Sequence, residues 1–141
     1  MGNLGMGVMI RMLLGDDTES ATTYRGAIGK TISEIVLSPD GKLLTIRFTD
    51  GTGVCFLDDG QSCCEHRYMT TDDKLDDFVG ATFTAARIAS AADRPDGDDN
   101  VHEVQFLHID TSKGTFTVES HNEHNGYYGG FALICRTAEG C

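Results

Sequence analysis

Two short segments concentrate the side chains able to do chemistry. The first, Cys63-Cys-Glu-His-Arg-Tyr, carries two thiols, a carboxylate, an imidazole and a guanidinium in one run. As a strand it places Cys64 and His66 on one face and Cys63, Glu65 and Arg67 on the other. Cys64 and His66, joined by His121 or His124, would form a zinc site, although the usual C-x-x-C or H-x-x-x-H spacing is absent. A thiolate near His66 would also be a nucleophile, but adjacency in sequence is not the geometry of catalytic pairs, and no third orienting group can be named. A cysteine packed in the core as a small hydrophobe explains the segment better.

The second segment is His121-Asn-Glu-His-Asn-Gly-Tyr-Tyr-Gly-Gly, expected as a loop between two strands. Glycines let a ligand approach the backbone, Tyr127 and Tyr128 can stack on planar rings, and His121, Asn122, His124 and Asn125 can bond base edges or phosphate. Arg67, Arg87 and Arg136 are the cationic complements in an otherwise acidic chain. The expected ligand-binding set is therefore His121, Asn122, His124, Asn125, Tyr127, Tyr128, Arg67 and Arg87. A glycine-permitted bulge with a tyrosine closing the core is the structural alternative. No cofactor is implied.

The elements that must position these residues are mostly strands. Thr31–Leu37, Leu43–Phe48 and Gly53–Leu57 alternate apolar and polar residues, and Ser38-Pro-Asp-Gly-Lys and Thr49-Asp-Gly-Thr punctuate them as turns. Cys63–Met69, Thr82–Ser90, Val101–Asp110, Thr115–His121 and Phe131–Arg136 complete the set, with Ser112-Lys-Gly as a hairpin turn. Thr71–Val79 reads as a helix capped by Thr71 and ended by Gly80, with Leu75, Phe78 and Val79 on its inner side. Its carboxylates, Asp72, Asp73, Asp76 and Asp77, suit a solvated helix face better than a metal cluster. The acidic stretch Asp93–Asn100 lacks the distal Glu of a calcium loop. The fold class expected is α+β, mostly antiparallel β in a curled sheet of hairpins, with one or two short helices.

Residues 1–23 read as an arm, flexible or in an oligomer contact, and 24–141 as a single β-rich domain. Met9–Leu14 could form a short helix and Asp16–Thr23 a polar linker. Gly2, Gly5 and Gly7 follow no strand and so fail as a phosphate loop. With 141 residues the chain can bury one core without metal or disulfide. Its formal charge of −11, from 11 basic and 22 acidic residues, excludes an electrostatic footprint for wrapping nucleic acid. An odd count of 5 cysteines with no secretory signal fits a reducing cytoplasm better than a disulfide framework. No stretch approaches the ~20 apolar residues of a membrane span.

Ile28-Gly-Lys-Thr-Ile, the Asp50-Gly turn, Cys63-Cys-Glu, Leu75-Asp-Asp-Phe-Val-Gly and Glu123-His-Asn-Gly-Tyr-Tyr-Gly-Gly-Phe together resemble a small family of uncharacterised phage and prophage proteins, over roughly Ile28 to Arg136. One departure is Ser62, where the family often carries an acidic residue. The resemblance implies a counter-defence factor in the host cytoplasm. By this reading the protein is an oligomeric, non-enzymatic sponge that sequesters a host nucleotide-derived signalling molecule. Two other readings stand beside it: an acidic inhibitor covering the basic surface of a host defence effector, and a metal-dependent nucleotide hydrolase using Cys64, His66, His121 and His124.

Overall fold

The structure, a computed structural model, describes residues 18–59, 65–90, 94–95, 101–124 and 131–141. The chain runs through α1 (Thr18–Gly26), β1 (Ile32–Leu37), β2 (Leu44–Phe48), β3 (Gly53–Asp58) and β4 (His66–Thr70). A 3₁₀ turn (Leu75–Phe78) leads to β5 (Phe83–Ser90), β6 (Arg94–Pro95), β7 (Val101–Thr111), β8 (Gly114–His124), β9 (Leu133–Thr137) and a second 3₁₀ turn (Ala138–Gly140). The strands divide between two open antiparallel sheets. Sheet 1 has the order β1-β2-β3-β9, and sheet 2 the order β4-β8-β7-β5 with β6 beside β7. The architecture is thus mostly antiparallel β with one short α-helix among the described residues.

Alternation within the strands sets the inner faces. Ile35, Leu44, Ile46, Phe48, Val54 and Phe56 from sheet 1 share one hydrophobic cluster with Phe83, Ala86, Leu107, Ile109, Phe116 and Val118 from sheet 2. Gly29–Ile32 hydrogen-bonds along Gly80–Phe83, which ties the first strand of sheet 1 to the β5 edge of sheet 2. At the opposite edge of sheet 2, the turn between β1 and β2 closes on β4, where the Met69 N–H donates to the Gly41 carbonyl at 2.7 Å. Gly41 has φ +72°, and a Cβ there would lie 2.7 Å from the Met69 carbonyl oxygen, so both conformation and contact demand glycine. Asp50 caps the next turn; hydrogen bonds from Thr52, then Lys30, hold its carboxyl down to about 2.

Three local expectations are corrected. The segment read as a polar linker is helical from Thr18, with Ser20, Ala21 and Tyr24 buried. Small side chains let α1 approach β9, where the Ser20 hydroxyl accepts the Cys135 N–H at 2.9 Å and covers that sheet edge. The helix expected over Thr71–Val79 is only a 3₁₀ turn, and Lys74, with φ −84° and ψ 98°, precedes it in place of a Thr71 cap. Thr71 and Asp73 are instead drawn to β8, since Thr71 donates to the Thr117 carbonyl and Asp73 accepts the Thr117 N–H, both at 2.7 Å. Without them too few residues remain to propagate an α-helix. Finally, where no bridge was expected, Cys55 on β3 and Cys141 are brought together as a disulfide pair, and Cys135 is buried in the core. No helix among the described residues is long and apolar enough to cross a membrane.

Candidate functional site

The strand β8 runs through His124, so His121, Asn122, Glu123 and His124 belong to sheet 2 and not to the loop expected for them. Strand alternation then separates them: His121 and Glu123 point to the outer face, Asn122 and His124 to the inner. Asn125, Tyr127 and Tyr128 lie outside the described residues, as do Cys63 and Cys64.

On the outer face four rings cross three strands. His66 and Tyr68 of β4 have centroids 4.8 Å apart, Tyr68 stacks on His121 of β8 at 4.6 Å and 12°, and His121 meets His102 of β7 at 5.1 Å. Register explains the array, because Tyr68 is opposite His121 and His102 is opposite Glu123. His102 Nε2 and His121 Nδ1 share a hydrogen bond of 2.9 Å, and His121 Nε2 is 2.8 Å from the Thr70 hydroxyl and 3.6 Å from Glu119. The Tyr68 hydroxyl donates to Glu123. Phe106 and His108 continue the face along β7, their rings stacked at 6.1 Å. Arg87 of β5, opposite His108, stands on the same face and holds Asp110 through two bonds of 2.8 and 3.0 Å. That pair pulls the Asp110 carboxyl below the ordinary carboxylate range and raises the Arg87 guanidinium above its own.

The inner face of the same strands is polar at the same end, but its charges are buried and engaged with one another. Arg67 NH1 grips both Asp58 oxygens at 2.8 and 3.0 Å, and its NH2 and Nε meet Glu65 at 2.9 and 3.4 Å. Asn122 donates to Glu65 at 2.9 Å, and His124 Nε2 is 2.7 Å from Glu103. The two forked pairs account for a fully buried Glu65 carboxylate beside an almost buried guanidinium.

The expected residues therefore fall in two places. His121, Arg87 and His66 share the outer face; Arg67, Asn122 and His124 share the inner network. Of the zinc set, His66 and His121 share one side of the sheet and His124 stands on the other, while Cys64 lies outside the described residues. Among the described residues no group of three or more His, Cys, Asp or Glu side chains is arranged to hold a metal ion. Arg136 is a structural clamp on α1, bonding Ser20 and Glu19 at 3.0 Å each. Tyr68, His102, Glu119, Thr70 and Glu103 were not singled out by sequence. Only the register of β4, β8 and β7 joins them, and no local spacing signals it.

Two open antiparallel sheets, sharing one core and carrying a ring-lined outer face, define a small mostly-β domain. The chain belongs to a family described as a domain of unknown function, DUF7448, whose profile matches residues 25–134. No curated protein and no solved structure matches the chain.

Proposed function

We propose that the protein is a non-catalytic binding protein that holds a nucleotide-type ligand against the outer face of sheet 2. The observation that carries this reading is the ring ladder His66–Tyr68–His121–His102. Nucleobases stack on such faces whatever their sequence, and His66, exposed at the end of the ladder, offers the next stacking place. Glu119 and Glu123 border the ladder as acceptors suited to exocyclic amino groups. Arg87 is a cation on this face for a phosphate, which would compete with Asp110 for it. From the strand register, His121 and Arg87 lie roughly 16 Å apart at the Cα atoms, taking the usual rise and strand spacing. A ligand touching both is larger than a mononucleotide. The acidic surface disfavours long nucleic acid but leaves room for a short ligand met by one local cation. Capture without turnover would remove such a molecule from circulation, and in a phage setting the captured molecule would be a host signal.

Native mass spectrometry of the protein, alone and with a panel of linear and cyclic mono-, di- and trinucleotides, tests this. The expected result is an intact nucleotide retained, larger than a mononucleotide, with the subunit number read from the same spectrum. A nucleotide released with altered mass would replace this reading by the hydrolase. Retention of nothing would move the search to a basic protein partner, for which the exposed Asp72, Asp76 and Asp77 are the natural contact.

A further inference from the structure

The inner network of sheet 2 leaves a remainder that is neutral. Gln105 on β7 and Ser120 on β8 are directly opposite one another, 1% and 2% exposed, and point inward between the charged row Arg67–Asn122–Glu103 and the apolar row Val118–Leu107. Among the described residues, neither the amide nitrogen and oxygen of Gln105 nor the hydroxyl of Ser120 has a hydrogen-bond partner. An amide and a hydroxyl withdrawn from water in this way are costly unless something bonds them. The neighbouring charges do not supply that partner, since Asp58 and Glu65 are engaged by Arg67, and Glu103 by His124.

A cleft of ≈130 Å³ approaches this pair from the β4 edge, lined by Gly41, Lys42, Asp58, Arg67, Tyr68 and Met69. Met69 is the register neighbour of Ser120 on the same inward row, so its side chain stands between the cleft and the two polar groups. Methionine is unbranched and adapts its shape readily, which suits a residue that must yield.

We infer that Gln105 and Ser120 form the floor of a second, interior binding site, entered past Met69, for a small neutral molecule carrying both a donor and an acceptor, of the primary-amide or urea class. The Gln105 side chain offers its N–H and C=O side by side and matches an amide edge with two parallel hydrogen bonds, with the Ser120 hydroxyl as a third partner. Asp58, Glu65 and Arg67 pair with one another and the Lys42 ammonium is held by the Arg67 carbonyl, so a neutral ligand fits, and the cleft of entry is too small for a nucleotide. The site is independent of the ladder on the opposite face.

The test uses acetamide as probe with the full-length protein, followed by heteronuclear NMR of the Gln105 side-chain amide and the Ser120 backbone amide. A saturable shift of both signals is expected, abolished in Gln105→Leu/Ser120→Ala and reached at lower acetamide concentration in Met69→Ala. The double variant exchanges unpartnered polar groups for apolar ones and should remain folded, which its unchanged spectrum elsewhere would verify. Because the ladder does not take part, His66→Ala should leave the acetamide response unaltered. Two results would overturn the inference: no saturable shift in the wild type, or a shift that persists in the double variant. Long-lived magnetisation transfer from water to the Gln105 amide that acetamide does not displace would also overturn it, by identifying water as the resident partner.

Discussion

The two faces of sheet 2 are built by the same strands, and at the β4–β8 end both are polar, yet they do different work. Inside, Asp58, Glu65, Arg67, Asn122, Glu103 and His124 spend their hydrogen bonds on one another, and the arrangement fixes how β4 sits against sheet 1. Outside, His66, Tyr68, His121 and His102 form a row of ring contacts, stacked between Tyr68 and a buried His121 and tilted at the other two, with His66 exposed at the end. A cluster of titratable residues is therefore not by itself a site. The useful distinction is whether partners inside the fold already engage the groups or whether a face remains for a visitor.

The sharpest way to break this comparison is Arg67→Ala. Removing the guanidinium leaves Asp58 and Glu65 facing each other in a buried setting, and breaking such a pair typically costs about 3–5 kcal/mol. Urea denaturation should show that loss, while the triple change Arg67→Met, Asp58→Asn, Glu65→Gln should recover most of it. A single variant as stable as wild type would mean that the network is solvated and not structural. Gly41→Ala comes next. The alanine must hold a positive φ while its Cβ presses on the Met69 carbonyl, so a loss of ~2 kcal/mol or more is expected. Both faces depend on β4, and this variant should weaken nucleotide retention as well. Full retention at reduced stability would show that the turn holds β4 without setting its register.

How much of this was legible in the sequence follows from what each strand buries. Leu44, Ile46 and Phe48 alternate with Thr45 and Arg47, so β2 announces itself, as do the hairpin around Lys113 and most of β7. β8 is readable only as far as apolar residues line its inner face, at Phe116 and Val118. Beyond them the inward positions are Ser120, Asn122 and His124, buried by hydrogen bonds and not by apolarity, so the strand reads as a loop. The helix α1 hides for a related reason: its buried face is Ser20, Ala21 and Tyr24, too small and polar to stand out. The opposition of His121 to Tyr68 was not legible, because long-range register leaves no trace in local spacing.

A gentler change sharpens the outer half of the comparison. His66 is exposed and ends the ladder, so His66→Ala should alter stability by no more than about 0.5 kcal/mol. Loss of one base–ring stack is worth ~1–3 kcal/mol of binding, which predicts affinity weakened by roughly five-fold or more. Calorimetric titration of whichever nucleotide the protein retains would separate the two quantities. Equal losses in stability and affinity would make the ladder a cross-strand stabiliser and nothing more.

The smallest expected effect is also the closest counterpart to Arg67. Arg87 forks onto Asp110 with distances like those inside, but the side chains are 54% and 25% exposed. Water competes for both partners, and such pairs contribute little to stability. The sign with pH follows from the carboxyl. The hydrogen bond from Arg87 lowers Asp110 foremost, against an opposing effect of burial, with the Thr115 hydrogen bond and the Arg87 charge adding to the lowering. A group depressed in the folded state contributes stability that is present above its unfolded value of about 3.9 and disappears as pH falls through the lower folded value. Asp110→Asn should therefore be slightly less stable than wild type near neutrality and indistinguishable from it once acid has protonated the carboxyl. A penalty in Asp110→Asn as large as that of Arg67→Ala, or one that survives acidification, would mean that Arg87 and Asp110 are not a solvent-screened pair, and the contrast between the two faces would fail at its outer edge.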